Sequence, residues 1–192
     1  MNATILNGGL AGDDFTDAVR DLLLAELATA GYQPAAWTLR DEKIAYCLGC
    51  FECWTKTPGL CRIDDAGRDV AASVISSDLV IYLSPITFGG YSSALKKAVD
   101  RSICLLSPFF TRIDGEVHHQ RRYDHYPALM GVGVLPERHS EQEDIFRTLI
   151  SRNAINMHSP HHATVIVTRS LDEPALRAAL QPVLQTQELN HQ

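Results

Sequence analysis

Apolar positions along the chain follow two alternating patterns. Short runs with the unbroken or two-residue pattern of strands are separated by longer stretches with the 3.6-residue repeat of helices. Ala3 to Leu6 reads as a first strand, closed by Asn7–Gly8–Gly9. Over residues 14 to 30, Phe15, Val19, Leu22, Leu23 and Leu27 share one helical face, and Gly31 supplies the stop. Ala35 to Leu39 forms a second strand, and Val70, Val74 and Ile75 mark a helix over residues 66 to 76. Leu79 to Leu83 is apolar without interruption, as a central parallel strand covered on both faces must be. Tyr91, Ala94, Leu95, Ala98, Val99 and Ile103 give another helical stripe, and Ala128 to Val134 a fourth strand. Ser140 and Glu143 fit a capping box ahead of a helix bearing Ile145, Phe146, Leu149 and Ile150. Ala163 to Thr168 completes the strands, and residues 172 to 186 form the last helix.

Strands alternating with helices argue for an α/β fold, a doubly wound five-stranded parallel sheet with helices on both faces. No repeat or linker divides the chain, so residues 1–192 are expected to form one domain. One segment breaks the alternation: residues 107–127, SPFFTRIDGEVHHQRRYDHYP, are polar and aromatic. Asp114–Gly115 offers a hairpin turn between Thr111–Arg112–Ile113 and Glu116–Val117–His118. A loop of this length in a compact domain is usually functional, and it reads as an inserted lid or interface segment.

With the common strand order 2-1-3-4-5, a ligand sits beyond the carboxyl ends of strands one and three, where the winding reverses. That directs attention to residues 7–16 and 84–91, with the cysteine-rich loop leaving strand two at the same edge. The three loops are expected on one rim. In NGGLAGDDFT, glycines ahead of a helix can close backbone N–H groups around an anion, or simply turn the chain. In SPITFGGYSS, Pro85 and Gly89–Gly90 shape a turn that places Thr87 and Phe88 where a flat aromatic ligand would meet backbone amides and a ring. An ordinary tight connection fits that stretch equally well.

Four of the five cysteines lie in Cys47-x2-Cys50-x2-Cys53-x7-Cys61. This compact four-thiolate spacing suits a cubane iron–sulfur cluster, whereas zinc more often takes two separated pairs. A loop of free thiols, or a disulfide in an oxidised protein, remains open. Pro58–Gly59 lets the chain turn back to present Cys61, Trp54 either fills or shields the space between the thiols, and Cys104 reads as a buried thiol. The pairs His118–His119 and His161–His162 point apart on a strand and read as surface or lid residues.

Composition narrows the function classes. The chain is 45% hydrophobic and 21% charged with a net charge of −6, typical of a globular protein and contrary to a nucleic-acid footprint. No apolar run reaches the roughly 18 residues of a membrane span. MNATILNGGLAGDD has neither a basic n-region nor a long apolar h-region, so a cytoplasmic protein is expected, with thiols used for metal or redox chemistry.

Two motifs carry a family resemblance: the cysteine run followed by Ile63–Asp64–Asp65, and Ser84–Pro85–Ile86–Thr87–Phe88–Gly89–Gly90 followed by Leu95–Lys96 and Asp100–Arg101. From Ile5 to about Arg101 the chain resembles the flavodoxin-fold NAD(P)H-dependent FMN reductases, most of all their iron–sulfur flavoprotein branch. The resemblance implies a flavodoxin-like sheet of order 2-1-3-4-5 and FMN as cofactor. It makes Asn7, Gly8, Gly9 and Thr16 phosphate-loop residues, and Pro85, Ile86, Thr87, Phe88 and Gly89 flavin-ring residues. It brings Gly131 and Gly133 near the far side of the ring, and makes Cys47, Cys50, Cys53 and Cys61 ligands of a 4Fe–4S cluster. NAD(P)H or a protein electron donor would pass electrons to a small-molecule or protein acceptor, in a homodimer or homotetramer. Where the family usually has a serine, a basic residue and an asparagine in its phosphate loop, this chain has Gly9, Ala11 and Phe15. The alternative is a non-enzymatic flavodoxin-like module whose cysteine loop binds metal or senses redox state.

Overall fold

A computed structural model describes residues 1–185. Five parallel strands, β1 (Asn2–Asn7), β2 (Gln33–Thr38), β3 (Leu79–Pro85), β6 (Ala128–Leu135) and β7 (His162–Thr168), lie in the order β2-β1-β3-β6-β7. Counting only these strands, that is the expected 2-1-3-4-5. The register pairs Ile5 with Ile81 across β1 and β3, and Tyr82 with Gly131 across β3 and β6. The two strands left out, β4 (Leu106–Ile113) and β5 (Glu116–Arg121), pair antiparallel as a separate hairpin. Its turn is Asp114–Gly115, both residues at positive φ (50° and 86°), the pairing that a two-residue hairpin loop favours.

Each face of the sheet has its own core. Helices α1 (Asp14–Thr29) and α6 (Glu173–Gln185) cover one face, packing Val19, Leu23, Leu27 and Leu180 on Ile5, Ile81 and Val132. Helices α3 (Ala66–Ile75), α4 (Ser93–Arg101) and α5 (Ser140–Asn156) cover the other, packing Val74, Leu95, Phe146 and Ile150 on Leu6, Val80 and Tyr82. Burial on both faces is why β3 carries no polar alternation. A short helix, α2 (Glu52–Thr55), sits inside the cysteine loop, and a 3-10 turn (Ser102–Leu105) extends α4.

Several local expectations shift. The N-cap of α5 is His139, not Ser140: its Nδ1 accepts the Gln142 N–H, while Glu143 reaches back to the His139 N–H at 3.1 Å. Tyr91 stands before α4, whose N-cap is Ser92, and packs edge-on against Tyr82 and Phe146. The last helix ends at Gln185 in the structure, and residue 186 of the expected span lies outside the described residues. Among the described residues no helix is long and apolar enough to cross a membrane.

Gly131 and Gly133 are buried within β6 and serve packing. A Cβ on Gly131 would stand 2.4 Å from Ile150, and one on Gly133 2.6 Å from Ile86. Their missing side chains leave room for Ile150 and Ile86 of the protein's own core. Gly131→Ala should therefore overpack the α5 face and cost about 1–3 kcal/mol. Urea denaturation measures it, and a midpoint equal to wild type would show that α5 is not seated this closely.

Candidate functional site

The loops after β1 and β3 meet at the carboxyl edge. Gly8 N–H donates to Leu83 O at 2.8 Å, and Ser92 Oγ donates to Gly8 O at 2.6 Å. A Cβ on Gly8 would lie 2.7 Å from Ser92 Oγ, so only glycine permits this approach. The loop after β3 is a rigid shelf. Ile86 donates its N–H to Val134 O, and Thr87 and Gly90 exchange both backbone bonds at 3.0 and 2.8 Å. Gly89, at φ 81°, is wedged against Ile145. Phe88 is thereby forced to φ 51° with its side chain 94% exposed. An apolar ring held in a strained backbone state and turned to solvent is the kind of outlier found where a ligand is gripped.

The loop after β1 is self-contained. Asp13 caps α1: its carboxylate accepts the Thr16 N–H and, at 2.6 Å, the Thr16 hydroxyl. Asn7 splits its amide between the Gly9 N–H and Asp17. The positive charge lacking at Ala11 arrives from elsewhere in the chain. Arg169, after β7, pairs with Asp13 at 2.7 Å, and Arg40, after β2, pairs with Asp17 at 2.6 Å. The Arg40 bond, the Asn7 amide and nearby cations hold the Asp17 carboxyl below its ordinary value against the effect of burial. Both arginines lie far from the loop in sequence, so local spacing gave no sign of them.

The cysteine loop leaves the same edge and then departs from it. Arg101, 2% exposed at the end of α4, gathers both ends of the loop. Its guanidinium forks onto Asp65 at 2.8 and 2.9 Å and also donates to Ala45 O and Ile63 O. Asp65 in turn accepts the N–H groups of Ala45 and Gly67. A Cβ on Gly67 would lie 3.0 Å from Arg101 Cζ, so the pair closes only over glycine. These bonds draw the neck of the loop to the last turn of α4.

Cys47, Cys50, Cys53 and Cys61 line one cavity of about 550 Å³, floored by Val99, Ser102 and Ile103 and walled by Asn153, Asn156 and His119. None of residues 7–16 or 84–91 lines it. Cys47 and Cys50 are exposed, Cys61 half-buried and Cys53 buried. Burial pushes the Cys53 thiol up, and charge on Cys61, Cys47 and Cys50 adds to it, so the four sulfurs sense one another. Cys104 belongs to the same neighbourhood: burial first, then Cys53 and Cys61, push its thiol up to about 11. Among the described residues no three His, Cys, Asp or Glu side chains gather about one point as a single ion requires.

Two buried nitrogens on residues lining the cavity, Arg101 Nε and His119 Nδ1, have no hydrogen-bond partner. Trp54 does not fill the cavity. It stacks on Phe51 at 4.9 Å, tilts against His119 at 4.8 Å and donates Nε1–H to Ile103 O, while His119 stacks on Phe110 at 4.8 Å. The hairpin thus leans on the cysteine loop. Its histidines are not both surface residues, since His118 is buried and bonded to Asn156 and Glu116. Tyr126, in the same 107–127 segment, is likewise buried, with its hydroxyl donating to Leu105 O.

Comparison with known proteins follows the same division. The family model for NADPH-dependent FMN reductase matches residues 1–169. An iron–sulfur flavoprotein of Methanocaldococcus jannaschii is 32% identical over 98 residues, 49% of this chain and 50% of that protein. One from Archaeoglobus fulgidus is 31% identical over 83 residues, 43% of this chain and 37% of that protein. These matches span about half of the first relative's length and little more than a third of the second's. The structure of an FMN-dependent NADH-azoreductase from Bacillus anthracis in complex with FMN superposes with a TM-score of 0.67 over 100% of both chains, at 12% identity, which is likeness of fold.

The neck of the cysteine loop should be sensitive to charge. Asp65→Asn keeps the shape of the cap but leaves Arg101 buried without a counter-charge, at a cost of about 3–5 kcal/mol. Burial alone would raise the Asp65 carboxyl, yet Arg101 and the N–H groups of Ala45 and Gly67 hold it below its ordinary 3.8. A carboxyl depressed in the folded state contributes stability that is complete above the unfolded value and lost as pH falls through the folded one. Wild type should therefore lose stability as pH drops below about 3.8, and Asp65→Asn should lack that part of the acid slope. Melting curves at several pH values test this, and identical acid slopes would refute the pair's role.

Proposed function

The chain belongs to the NADPH-dependent FMN reductase family, and from that membership we propose that it is a flavin-dependent oxidoreductase using NAD(P)H or a protein electron donor. Pro85, Ile86, Thr87, Phe88 and Gly89 are its flavin-ring residues, with Asn7, Gly8, Gly9 and Thr16 beneath the flavin's chain. The observation that carries this reading is the Thr87–Gly90 shelf, a preformed turn presenting Phe88 at the crevice between β1 and β3. A flat ring laid there would meet an aromatic face and the backbone without requiring the loop to move.

Bound flavin would supply hydride acceptance from a nicotinamide and its onward transfer to an acceptor. The chain's part is placement: Gly8 seats the first loop on α4, Ile86 anchors the shelf to β6, and Gly89 fixes its angle against Ile145. The ring half of the ligand suits these residues. The phosphate half meets donors already engaged by Asp13 and Asp17.

Cys47, Cys50, Cys53 and Cys61 would hold a 4Fe–4S cluster. Four soft donors on one cavity wall, with Arg101 Nε and His119 Nδ1 left over for bound sulfur, support that choice above a single zinc ion. A cluster there would let two-electron chemistry at the crevice proceed onward in single-electron steps. Such chemistry belongs in a reducing compartment, and a cytoplasmic location fits it. Residues 1–192 act as one flavodoxin-like unit in this reading. The hairpin within 107–127, with Phe109 68% and Phe110 63% exposed, would be its contact in a homodimer or homotetramer.

Anaerobic purification followed by spectroscopy and assays for iron, sulfide and released flavin tests both halves. Cys50→Ser should remove iron and sulfide together and leave the flavin, while Thr87→Glu should expel flavin and retain iron. Flavin without iron or zinc in the wild type would end the cluster reading. Protein with neither flavin nor flavin affinity would leave the non-enzymatic module.

A further inference from the structure

We propose that Asp13 occupies the place a flavin's 5′-phosphate would take, so that this crevice does not select for the phosphate and binds riboflavin about as tightly as FMN. The proposal rests on the flavin reading above and concerns which member of that ligand class the site takes.

The amino end of α1 is the anion-attracting end of the helix, and it lies at the switch point where a doubly wound fold receives a phosphate. In this chain it already holds an anion. Asp13, 7% exposed, accepts the Thr16 N–H at 3.3 Å and the Thr16 hydroxyl at 2.6 Å, and Arg169 closes on it at 2.7 Å. A helix-end N–H, a threonine hydroxyl and a guanidinium are the donor set a phosphate would require, and one carboxylate uses all three.

Three neighbouring donors, the Gly9 N–H, the Asn7 amide and the Arg40 guanidinium, are also committed. Gly9 N–H is bonded to Asn7 Oδ1, and Asn7 Nδ2 to Asp17 Oδ1, each at 2.8 Å. Arg40 gives its guanidinium to both oxygens of Asp17, and Arg20 adds a further bond at 3.2 Å. A phosphate dianion entering here would have to expel Asp13 and then lie beside Asp17 and Asp14. The shelf at 85–90 is independent of these groups, so ring recognition survives without the phosphate. Riboflavin presents the same ring and brings no second anion to the loop.

The full chain, freed of any bound flavin, is titrated in parallel with riboflavin and FMN by calorimetry and flavin fluorescence quenching. Wild type should bind the two within about threefold of each other. Asp13→Asn retains a good N-cap but releases Arg169, and should tighten FMN by about tenfold with riboflavin unchanged. Arg169→Gln added to Asp13→Asn should abolish the gain. Asp13→Ser serves as the second capping variant should Asn disturb folding, with melting curves as the check.

Wild type preferring FMN by tenfold or more would overturn the proposal and leave the flavin reading intact. An Asp13→Asn protein with no selective gain for FMN would overturn it as well. Failure of both flavins to bind any of the variants would remove the flavin reading, and this inference with it.

Discussion

The buried ion pair between Arg101 and Asp65 decides where the chemistry of this protein can be. A charge taken out of water is costly unless it is paired and its remaining donors are satisfied. Arg101 meets most of that demand with one carboxylate and two carbonyls, all of them at the two ends of the cysteine loop, and leaves Nε over. About twenty residues of irregular chain are thereby closed into a ring whose neck is the last turn of α4. The constraint runs in both directions: without the loop's carbonyls the arginine is stranded, and without the arginine the thiols have no fixed floor. The sequence holds both halves, Ile63–Asp64–Asp65 and Asp100–Arg101, as motifs of the same family resemblance. That they meet each other, and not a ligand, is visible only in three dimensions.

Elements with strong periodicity were legible from the alternation, and the sheet order was what the family resemblance implied. The unbroken run Leu79–Leu83 announced a doubly covered strand because both faces of β3 are buried there. Hairpin β4–β5 was legible at Asp114–Gly115, where two successive residues must take positive φ. What sequence could not show was long-range pairing. Arg169 and Arg40 supply the cations that loop 7–16 lacks, and His119 and Cys104 join the cysteine neighbourhood from a strand and a helical turn that local patterns assigned to other duties. Gly131 and Gly133 carry a related ambiguity. A glycine in a strand signals close approach, but the approaching group can be the protein's own Ile150 or Ile86 as readily as a ligand.

The crevice shows the same accounting from the other side. Buried polar groups must find partners, and a loop that evolved with a ligand leaves some of its donors unspent. At Thr16 the N–H, the hydroxyl and Arg169 all end on the Asp13 carboxylate, whereas around the cysteines two nitrogens, Arg101 Nε and His119 Nδ1, have no partner. On that criterion the cysteine cavity is the more incomplete of the two places.

The hairpin then acquires a mechanical meaning. Phe51, Trp54, His119 and Phe110 form a continuous run of ring contacts from the cysteine loop to β4. His118, one residue along, fastens β5 to α5 through Asn156, and Arg152 of α5 pairs with Glu116. Any displacement of the hairpin must therefore tilt His119 against Trp54 or break the tie to α5, because close-packed rings offer no room to slide. Phe110 shares the cavity-wall face of the hairpin with His119 and is still 63% exposed. A partner seated on the exposed edge of Phe110 would be coupled to the cysteine loop by direct packing, through His119 and Trp54.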